Sequence, residues 1–237
     1  MRSKRTVAVA SLTALALLAG CGGDDTSSTT PTSGGAGVTT SSSVAPTTAT
    51  TSSPEALMTS LLQPDDVPGA TATKPEQQDA DLSACFPGNP IGAKTDPSEV
   101  DSPEFNLIEG EVRRNYSSTT RVATPEQVKA FVTTFGSASG SGCVLTAIKA
   151  VLGAPPNPVD VSGLTGSASP AAVADGGAQL AITGDVVAGG KTIPLTVDVL
   201  VFQKGSAVVF LYVAALGGPP LPGQTLELAR KIAGRLP

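Results

Sequence analysis

Apolar residues after position 53 recur with the period of a helix in four segments and with the period of a strand in four others. Spacings of three and four residues predict helices at 54–63, 124–135, 143–152 and 226–236. Alternating or continuous apolar residues predict strands at 109–121, 179–187, 192–202 and 207–215. The predicted order is helix, strand, two helices, three strands and a final helix, which favours an α+β fold.

The helix at 124–135 has the clearest start signal in the chain. Thr124 suits the N-cap, Pro125 fits the first helical position and Gln127 completes a capping box. The residues at 136–142, rich in Gly and Ser, are expected to separate this helix from the next. Among the strands, 207–215 is almost continuously apolar, which is typical of a central strand covered on both faces.

Tight turns separate the last three predicted strands. Gly189-Gly190 and Lys204-Gly205 both suit hairpins, and three sequential strands joined in this way predict an antiparallel meander. We therefore expect an antiparallel sheet, made of this C-terminal three-stranded meander and the earlier strand at 109–121, packed against helices. The sequence at 189–192 resembles the end of a phosphate-binding loop, but the strands on both sides of it predict a hairpin.

The first twenty residues have the layout of a bacterial lipoprotein signal peptide. Arg2, Lys4 and Arg5 precede a twelve-residue apolar run at 7–18, which is too short to span a bilayer. The sequence Leu-Ala-Gly-Cys, which ends at Cys21, matches a lipobox. We predict that residues 1–20 are removed and that Cys21 carries a diacylglyceryl thioether and an N-acyl chain such as palmitate. The alternative is an ordinary secretory signal followed by a chance cysteine.

A Ser/Thr-rich segment follows Cys21. Of the 32 residues at 22–53, 18 are Ser or Thr, a composition that cannot bury enough apolar surface to fold. We predict a disordered tether at 21–53, with O-glycosylation of its Thr clusters as a hypothesis. Residues 54–237 are then one extracytoplasmic domain. The lipid on Cys21 would hold this domain at the outer face of the cytoplasmic membrane.

Cys85 and Cys143 are the thiols that remain once Cys21 is lipidated. Two cysteines in an oxidising compartment have a single possible pairing, so we predict a Cys85–Cys143 disulfide. A reactive thiol is the alternative. The chain has no His to activate a thiol and no Cys-x-x-Cys sequence, which favours the structural bridge.

Composition and charge argue against several functions. Removal of residues 1–20 leaves 12 basic and 20 acidic residues, a net charge of −8, which disfavours binding to nucleic acid. The absence of His excludes Ser-His-Asp and Cys-His hydrolases and HExxH metalloproteases. The chain also lacks Ser-x-x-Lys and Gly-x-Ser-x-Gly sequences. We expect no enzymatic activity, no cofactor and no metal site, with a His-free hydrolase as the remote alternative.

Three groups of charged residues are expected to be structural. Asp65-Asp66, beside two prolines and a glycine, predicts a cap and a turn rather than an acid–base pair. An acidic run lacks EF-hand spacing, so we expect a solvated loop instead of a calcium site; it consists of Asp96, Glu99, Asp101 and Glu104. Three arginines would suit an anion but are expected to be exposed on the predicted strand; they are Arg113, Arg114 and Arg121.

Three stretches of the domain carry a family resemblance. Residues 61–69 read LLQPDDVPG, residues 205–216 include the continuous apolar strand, and residues 227–236 read ELARKIAGRL. Together with the lipobox and the tether, they resemble the cell-envelope lipoproteins of actinobacteria, especially mycobacteria, and the sensor-type extracellular domains of that group. Some of those sensor domains are fused to transmembrane Ser/Thr kinases. The resemblance implies a small lipid-anchored α+β domain with a binding or sensing role.

We therefore expect a lipid-anchored cell-envelope protein with a non-enzymatic ligand-binding or sensing role. The ligand would be a lipid, a glycan or a peptide, and no residue is assigned to it. A protein-interaction adaptor for an envelope complex is the alternative. A pocket of roughly several hundred Å³ with apolar walls would favour a ligand, whereas one exposed apolar patch would favour a protein partner.

Overall fold

The computed structural model describes residues 54–74, 82–92, 99–154, 159–219 and 223–237. The predicted signal peptide, Cys21 and the tether lie outside these residues, as does Asp96. The helices are α1 (Pro54–Ser60), α2 (Pro125–Phe135), α3 (Ala138–Leu152) and α4 (Gln224–Arg235). The strands are β1 (Thr71–Thr73), β2 (Val100–Asp101), β3 (Glu104–Glu109), β4 (Val112–Val122), β5 (Thr165–Ala171), β6 (Gly177–Ala188), β7 (Lys191–Lys204) and β8 (Ala207–Leu216).

The strands form one antiparallel sheet in the order β1-β3-β4-β8-β7-β6-β5, with β2 paired to β4. This arrangement confirms the predicted fold class, α+β with an antiparallel sheet packed against helices. The predicted meander is β6-β7-β8, and the earlier predicted strand corresponds to β4, which pairs with β8 from Arg113 to Val122. The first predicted turn of the meander joins Ala188 to Lys191, so the sequence at 189–192 is a hairpin.

Strand β8 is the centre of the sheet and is covered on both faces, as its continuous apolar sequence predicts. Side chains alternate along a strand. Val208 and Phe210 therefore point towards α2 and α3, while Val209 and Leu211 point towards α1 and α4. Two apolar clusters result, one on each face of the sheet. Helices α2 and α3 lie over β5–β8, and α4 lies over β7 and β8 on the other face.

The strand predicted at 109–121 is in fact the second half of a hairpin. Strand β3 ends at Glu109 and β4 begins at Val112, with Glu109 paired to Val112. Gly110 adopts φ of 64° in the turn, a conformation that favours glycine. The predicted strand is therefore confirmed from Val112 onward, and only its predicted start at 109 was wrong, because Gly110 turns the chain between Glu109 and Val112.

The predicted break between the two helices is present, but it is only Gly136 and Ser137 long and does not extend to 142. Helix α3 begins at Ala138, because the Ser137 side chain accepts a hydrogen bond from Gly140 N at 3.1 Å and caps it. At Gly140 a Cβ would lie 2.0 Å from Thr134 O, so only glycine permits this close approach of α3 to the end of α2. The start of α2 is confirmed: Thr124 and Gln127 form the predicted capping box.

No single helix among the described residues is long and apolar enough to cross a membrane. Helices α2 and α3 meet the length and composition criteria only as a pair, and this pair is bent by 78°.

Two of the stretches that carry the family resemblance are in direct contact. Arg235 at the end of α4 donates two hydrogen bonds to the Asp66 carboxylate, at 3.0 and 2.7 Å, and another to Leu61 O at 2.8 Å. Asp66 also accepts a hydrogen bond from Gln63 N at 2.9 Å, so it is the cap that the sequence predicts. We call these Arg235–Asp66 hydrogen bonds the Asp66–Arg235 clamp, and they join the start of the domain to its end.

Helix α1 ends at Ser60, earlier than predicted, and its Met58 is 51% exposed.

The disulfide between Cys85 and Cys143 is present, with a Cα–Cα distance of 5.6 Å. It ties the segment at 82–92 to α3. The Phe86 ring packs on Phe131 of α2 at 4.1 Å between centroids, and Asn89 Nδ2 donates to Gln127 O at 3.0 Å. The segment is therefore attached to both helices of this layer.

We predict that removing the disulfide destabilises the domain. The bridge spans 58 residues, for which loop-closure entropy gives about 4 kcal/mol of stabilisation. A Cys85→Ser/Cys143→Ser variant should lose that free energy of unfolding in a guanidinium titration, and reductant should produce the same loss in the native chain. An unchanged midpoint in both experiments would contradict the prediction.

We predict that the Asp66–Arg235 clamp makes the free energy of unfolding depend on pH in the acidic range. Burial by itself raises the pKa of Asp66, but the hydrogen bonds from Arg235 and Gln63 N hold it below the usual value. The stabilisation that the ionised Asp66 gives to the folded state is therefore fully present above the ordinary carboxylate pKa. It is lost as the pH falls through the lowered pKa of Asp66. Asp66→Asn should lower the free energy of unfolding by about 2 kcal/mol at neutral pH. It should also reduce the loss of stability that the native chain shows as the pH is lowered. An acid limb identical to that of the native chain would refute this assignment.

Candidate functional site

Strand β4 is buried along its middle although most of its residues there are polar. Residues 114–120 read RNYSSTT, and every one of them is buried. Burying a polar group costs free energy unless a hydrogen bond compensates for it. A strand beside the centre of the sheet is therefore expected to be apolar. This departure marks β4 as the candidate functional element.

The polar side chains of β4 on the α2/α3 face form a continuous set with their neighbours. Ser117 lies directly opposite Tyr212 of β8, and Asn115 lies opposite Asn106 of β3. We call this set the polar row; it consists of Glu104, Asn106, Asn115, Ser117, Thr119 and Tyr212. Beyond β8, the same face of the sheet is apolar where α2 and α3 cover it. The polar row therefore begins where the apolar contacts of the two helices end.

Most of the polar row is linked by hydrogen bonds. Asn115 Nδ2 donates to Glu104 Oε1 and, at 3.1 Å, to Asn106 Oδ1. Thr119 Oγ1 donates to Asp101 Oδ1 at 2.6 Å. These bonds orient the carboxylate and the two amides along one edge of the row.

Two buried oxygen atoms of the polar row have no hydrogen-bond partner in the described part of the chain. They are Tyr212 Oη, on a residue 2% exposed, and Asn115 Oδ1, on a residue 7% exposed. Their residues are diagonal neighbours across β4 and β8, about 7 Å apart. Arg114 Nε and Thr120 Oγ1 also lack partners, but they lie on the opposite face of β4. The two unpartnered oxygen atoms therefore lie on the same face of the sheet, on adjacent strands.

The electrostatics of the polar row disfavour an anion. Burial raises the pKa of Tyr212 well above its usual value, and the negative charge of Glu104 raises it further. Tyr212 is therefore a neutral hydroxyl, available as a hydrogen-bond donor. A carboxylate on the same face would repel a phosphate or a second carboxylate.

A shallow groove lies between the disulfide-linked segment and α2. Its volume is about 510 Å³, within the range of small-molecule sites. Its walls are the segment at 86–89 and the exposed side of α2, where Glu126, Gln127, Ala130 and Thr134 line it. A second cavity, of about 10 Å³, lies at the start of α4 beside Arg114 and Asp198. That volume suits at most one water molecule.

The structure corrects the expected exposure of two arginines. Arg114 is buried and pairs with Glu109, while Arg121 pairs with the buried Glu99. Arg121 also donates to Ile91 O, and its guanidinium lies 6.0 Å from the Phe210 ring centroid. Only Arg113 is exposed as predicted.

The acidic run is correspondingly not a solvated loop throughout. Glu99, Asp101 and Glu104 bond to Arg121, Thr119 and Asn115, respectively. Their partners come from β4, 11 to 22 residues further along the chain. The local sequence therefore gives no indication of these contacts.

The sequence did not reveal the polar row as a site. Tyr212 fits the apolar pattern of β8, and Asn115 was assigned only to an ordinary strand. The available signal was the run of four Ser and Thr residues at 117–120, flanked on both sides by strand-like sequence. Its meaning depends on the position of β4 next to β8, which the pairing of distant strands determines.

The fold and the polar row define a class of protein, an α+β domain with one antiparallel sheet between two helix layers and a buried polar site. No family model and no curated protein matches the chain. Among solved structures, it is similar to LpqN of Mycobacterium tuberculosis, which is involved in cell envelope biogenesis. The identity is 13%, with 60% of this chain and 76% of LpqN covered, at a TM-score of 0.28. A likeness at this level establishes neither a shared fold nor a shared activity.

We predict opposite effects for two tyrosine variants on the two faces of the sheet. Tyr116 Oη contacts Gln224 Oε1 at 3.3 Å, so Tyr116→Phe should lower the free energy of unfolding by about 1 kcal/mol. Tyr212→Phe removes a buried hydroxyl without a partner, so stability should stay unchanged or rise. Urea titrations of the ligand-free protein measure both. Equal destabilisation by the two variants would show that the Tyr212 hydroxyl has a partner.

Proposed function

We propose that this chain is a lipid-anchored cell-envelope protein whose domain binds a ligand without transforming it, at the polar row. The lipid on Cys21 would hold the domain at the outer face of the cytoplasmic membrane. The observation that supports ligand binding is the pair of unpartnered buried atoms, Tyr212 Oη and Asn115 Oδ1. A buried polar group without a partner is costly, and a ligand that satisfies both atoms would recover that cost.

The chemistry of the two atoms restricts the class of ligand. Tyr212 offers a donor and Asn115 Oδ1 requires one. A neutral group that both donates and accepts, such as the hydroxyl of a glycan or the amide of a peptide, fits both atoms. An anionic group is disfavoured by Glu104. Hydrocarbon alone would leave both atoms unsatisfied, so a lipid would have to present a neutral polar head here.

Binding without chemistry is also part of the proposal. The chain has no His, and the carboxylates of this region, Asp101 and Glu104, already take part in hydrogen bonds with Thr119 and Asn115. In this proposal, Asp101 and Glu104 hold the side chains of Thr119 and Asn115 in position for a ligand. A general acid or base would instead need a proton-transfer partner within reach.

A second candidate function is suggested by the groove beside α2. It is open and lies on the surface, with Phe86 and Ala130 among its apolar lining residues. A groove of this form suits a segment of another protein, which is the adaptor role for an envelope complex. The two candidates use different residues and can be separated by mutation.

We predict that the full chain, released from its own membranes and measured by native mass spectrometry, retains a ligand through Tyr212. Tyr212→Phe should lower the retained fraction at least tenfold, which corresponds to about 1.4 kcal/mol. The matched control, Tyr116→Phe, changes a tyrosine on the opposite face of the same sheet and should retain the ligand as the native chain does.

A groove variant completes the experiment. Ala130→Arg fills the groove from an exposed helical position that tolerates the longer side chain. Loss of the ligand in Ala130→Arg but not in Tyr212→Phe would move the site to the groove. A ligand-free native chain that cross-links to an envelope protein would favour the adaptor function instead.

A further inference from the structure

The β5 edge of the sheet is open within the described residues. Strand β5 is the last in the sheet order, and its residues from Thr165 to Pro170 are exposed or half-buried. Its sequence, TGSASPA, contains no charged residue. The opposite edge is different, because β1 has only three residues and Lys74 follows it directly. Short length and charge are features that protect sheet edges from pairing, and β5 has neither.

The register of β6 shows which backbone groups of β5 face outward. Val187 of β6 exchanges hydrogen bonds with Asp160 on the same side of β6 as β5, at 3.0 and 3.1 Å. Odd-numbered residues of β6 therefore bond towards β5, and they pair with odd-numbered residues of β5. The N–H and C=O groups of Gly166 and Ala168 consequently point away from the sheet. Pro170, which has no N–H, also lies in this outward set.

The side chains beside this edge favour another copy of the same strand over a foreign peptide. A foreign peptide added to an edge gains specificity from pockets for alternate side chains. The residues available here, Gly166, Ser167, Ala168 and Ser169, are too small to form such pockets. A two-fold symmetric pair needs no pocket, because the same surface serves both partners.

We propose that two copies of this chain associate through their β5 strands, antiparallel and centred on Ser167. In this register Gly166 of each copy exchanges hydrogen bonds with Ala168 of the other, which makes four bonds. Pro170 lies beyond the last of these bonds, so its missing N–H costs nothing. The two sheets then continue into one another.

The flanks of the strand are compatible with this close approach. On the helix face, a Cβ placed at Gly166 would lie 3.2 Å from Leu145 Cδ2, so Leu145 of α3 packs directly over the edge. Leu145 is half-buried in the single chain and would gain apolar contact in the pair. On the other face Ser167 and Ser169 are exposed and uncharged, so these two side chains place no charge beside the axis of the pair.

The register makes a specific cross-linking prediction for the full chain. The two Ser167 residues form a non-hydrogen-bonded pair across the axis, with Cα atoms about 4.5 Å apart, within disulfide distance. Ser167→Cys should give a covalent dimer on a non-reducing gel after mild oxidation. Ser169→Cys is the matched control, because it is equally exposed on the same face. In the proposed register it lies opposite Thr165 of the other copy, four residues from that copy's own residue 169, so it should not cross-link.

A proline substitution provides a second, independent variant. Ala168→Pro removes an N–H that faces away from β6, so the monomer keeps its own hydrogen bonds while the pair loses two. Ser167→Cys/Ala168→Pro should therefore lose the covalent dimer with an unchanged thermal midpoint. A Ser167→Cys chain that folds but stays monomeric would overturn the proposal. So would equal cross-linking of Ser169→Cys, or cross-linking of Ser167→Cys only to a different protein.

Discussion

The burial of strand β8 on both faces is the constraint on which the rest of the domain depends. A strand whose side chains are apolar on both sides loses stability unless each side is removed from water. Helices α2 and α3 cover one face, and α1 and α4 cover the other. The neighbours of β8, strands β4 and β7, become inner strands as a consequence. The polar middle of β4 is therefore buried by its position rather than by its composition.

The two faces of the sheet are completed in different ways. On the α1/α4 side, the Asp66–Arg235 clamp joins the two ends of the domain and closes the layer. On the α2/α3 side, the helices cover β5–β8, and the segment at 82–92 is fixed to them by Cys85–Cys143 and by the Phe86–Phe131 contact. Arg121 joins this segment to β4 through Ile91 O. The polar row is therefore bordered by elements that are fixed to one another.

Local signals predicted most of the helices and the C-terminal strands correctly. The capping box at Thr124 and the continuous apolar sequence of β8 act over a few residues, and both were confirmed. The errors occurred where a small residue has a role set by its surroundings. Gly110 makes a turn between β3 and β4, and Gly140 permits the contact between α2 and α3. Strand β5 was missed because an edge strand of small polar residues has no apolar period to detect.

The sequence by itself determined the fold class and the Cys85–Cys143 pairing, because apolar periodicity, capping and cysteine number are properties of the chain alone. Only the tertiary structure decided which polar residues share a face. Tyr212 and Asn115 are about a hundred residues apart in sequence, and they become neighbours because β4 pairs with β8. The same sheet buries Arg114 and Glu104 and half-buries Arg121, three residues that were expected at the surface. Non-local strand pairing decides these positions, since no local pattern encodes which strand lies beside which.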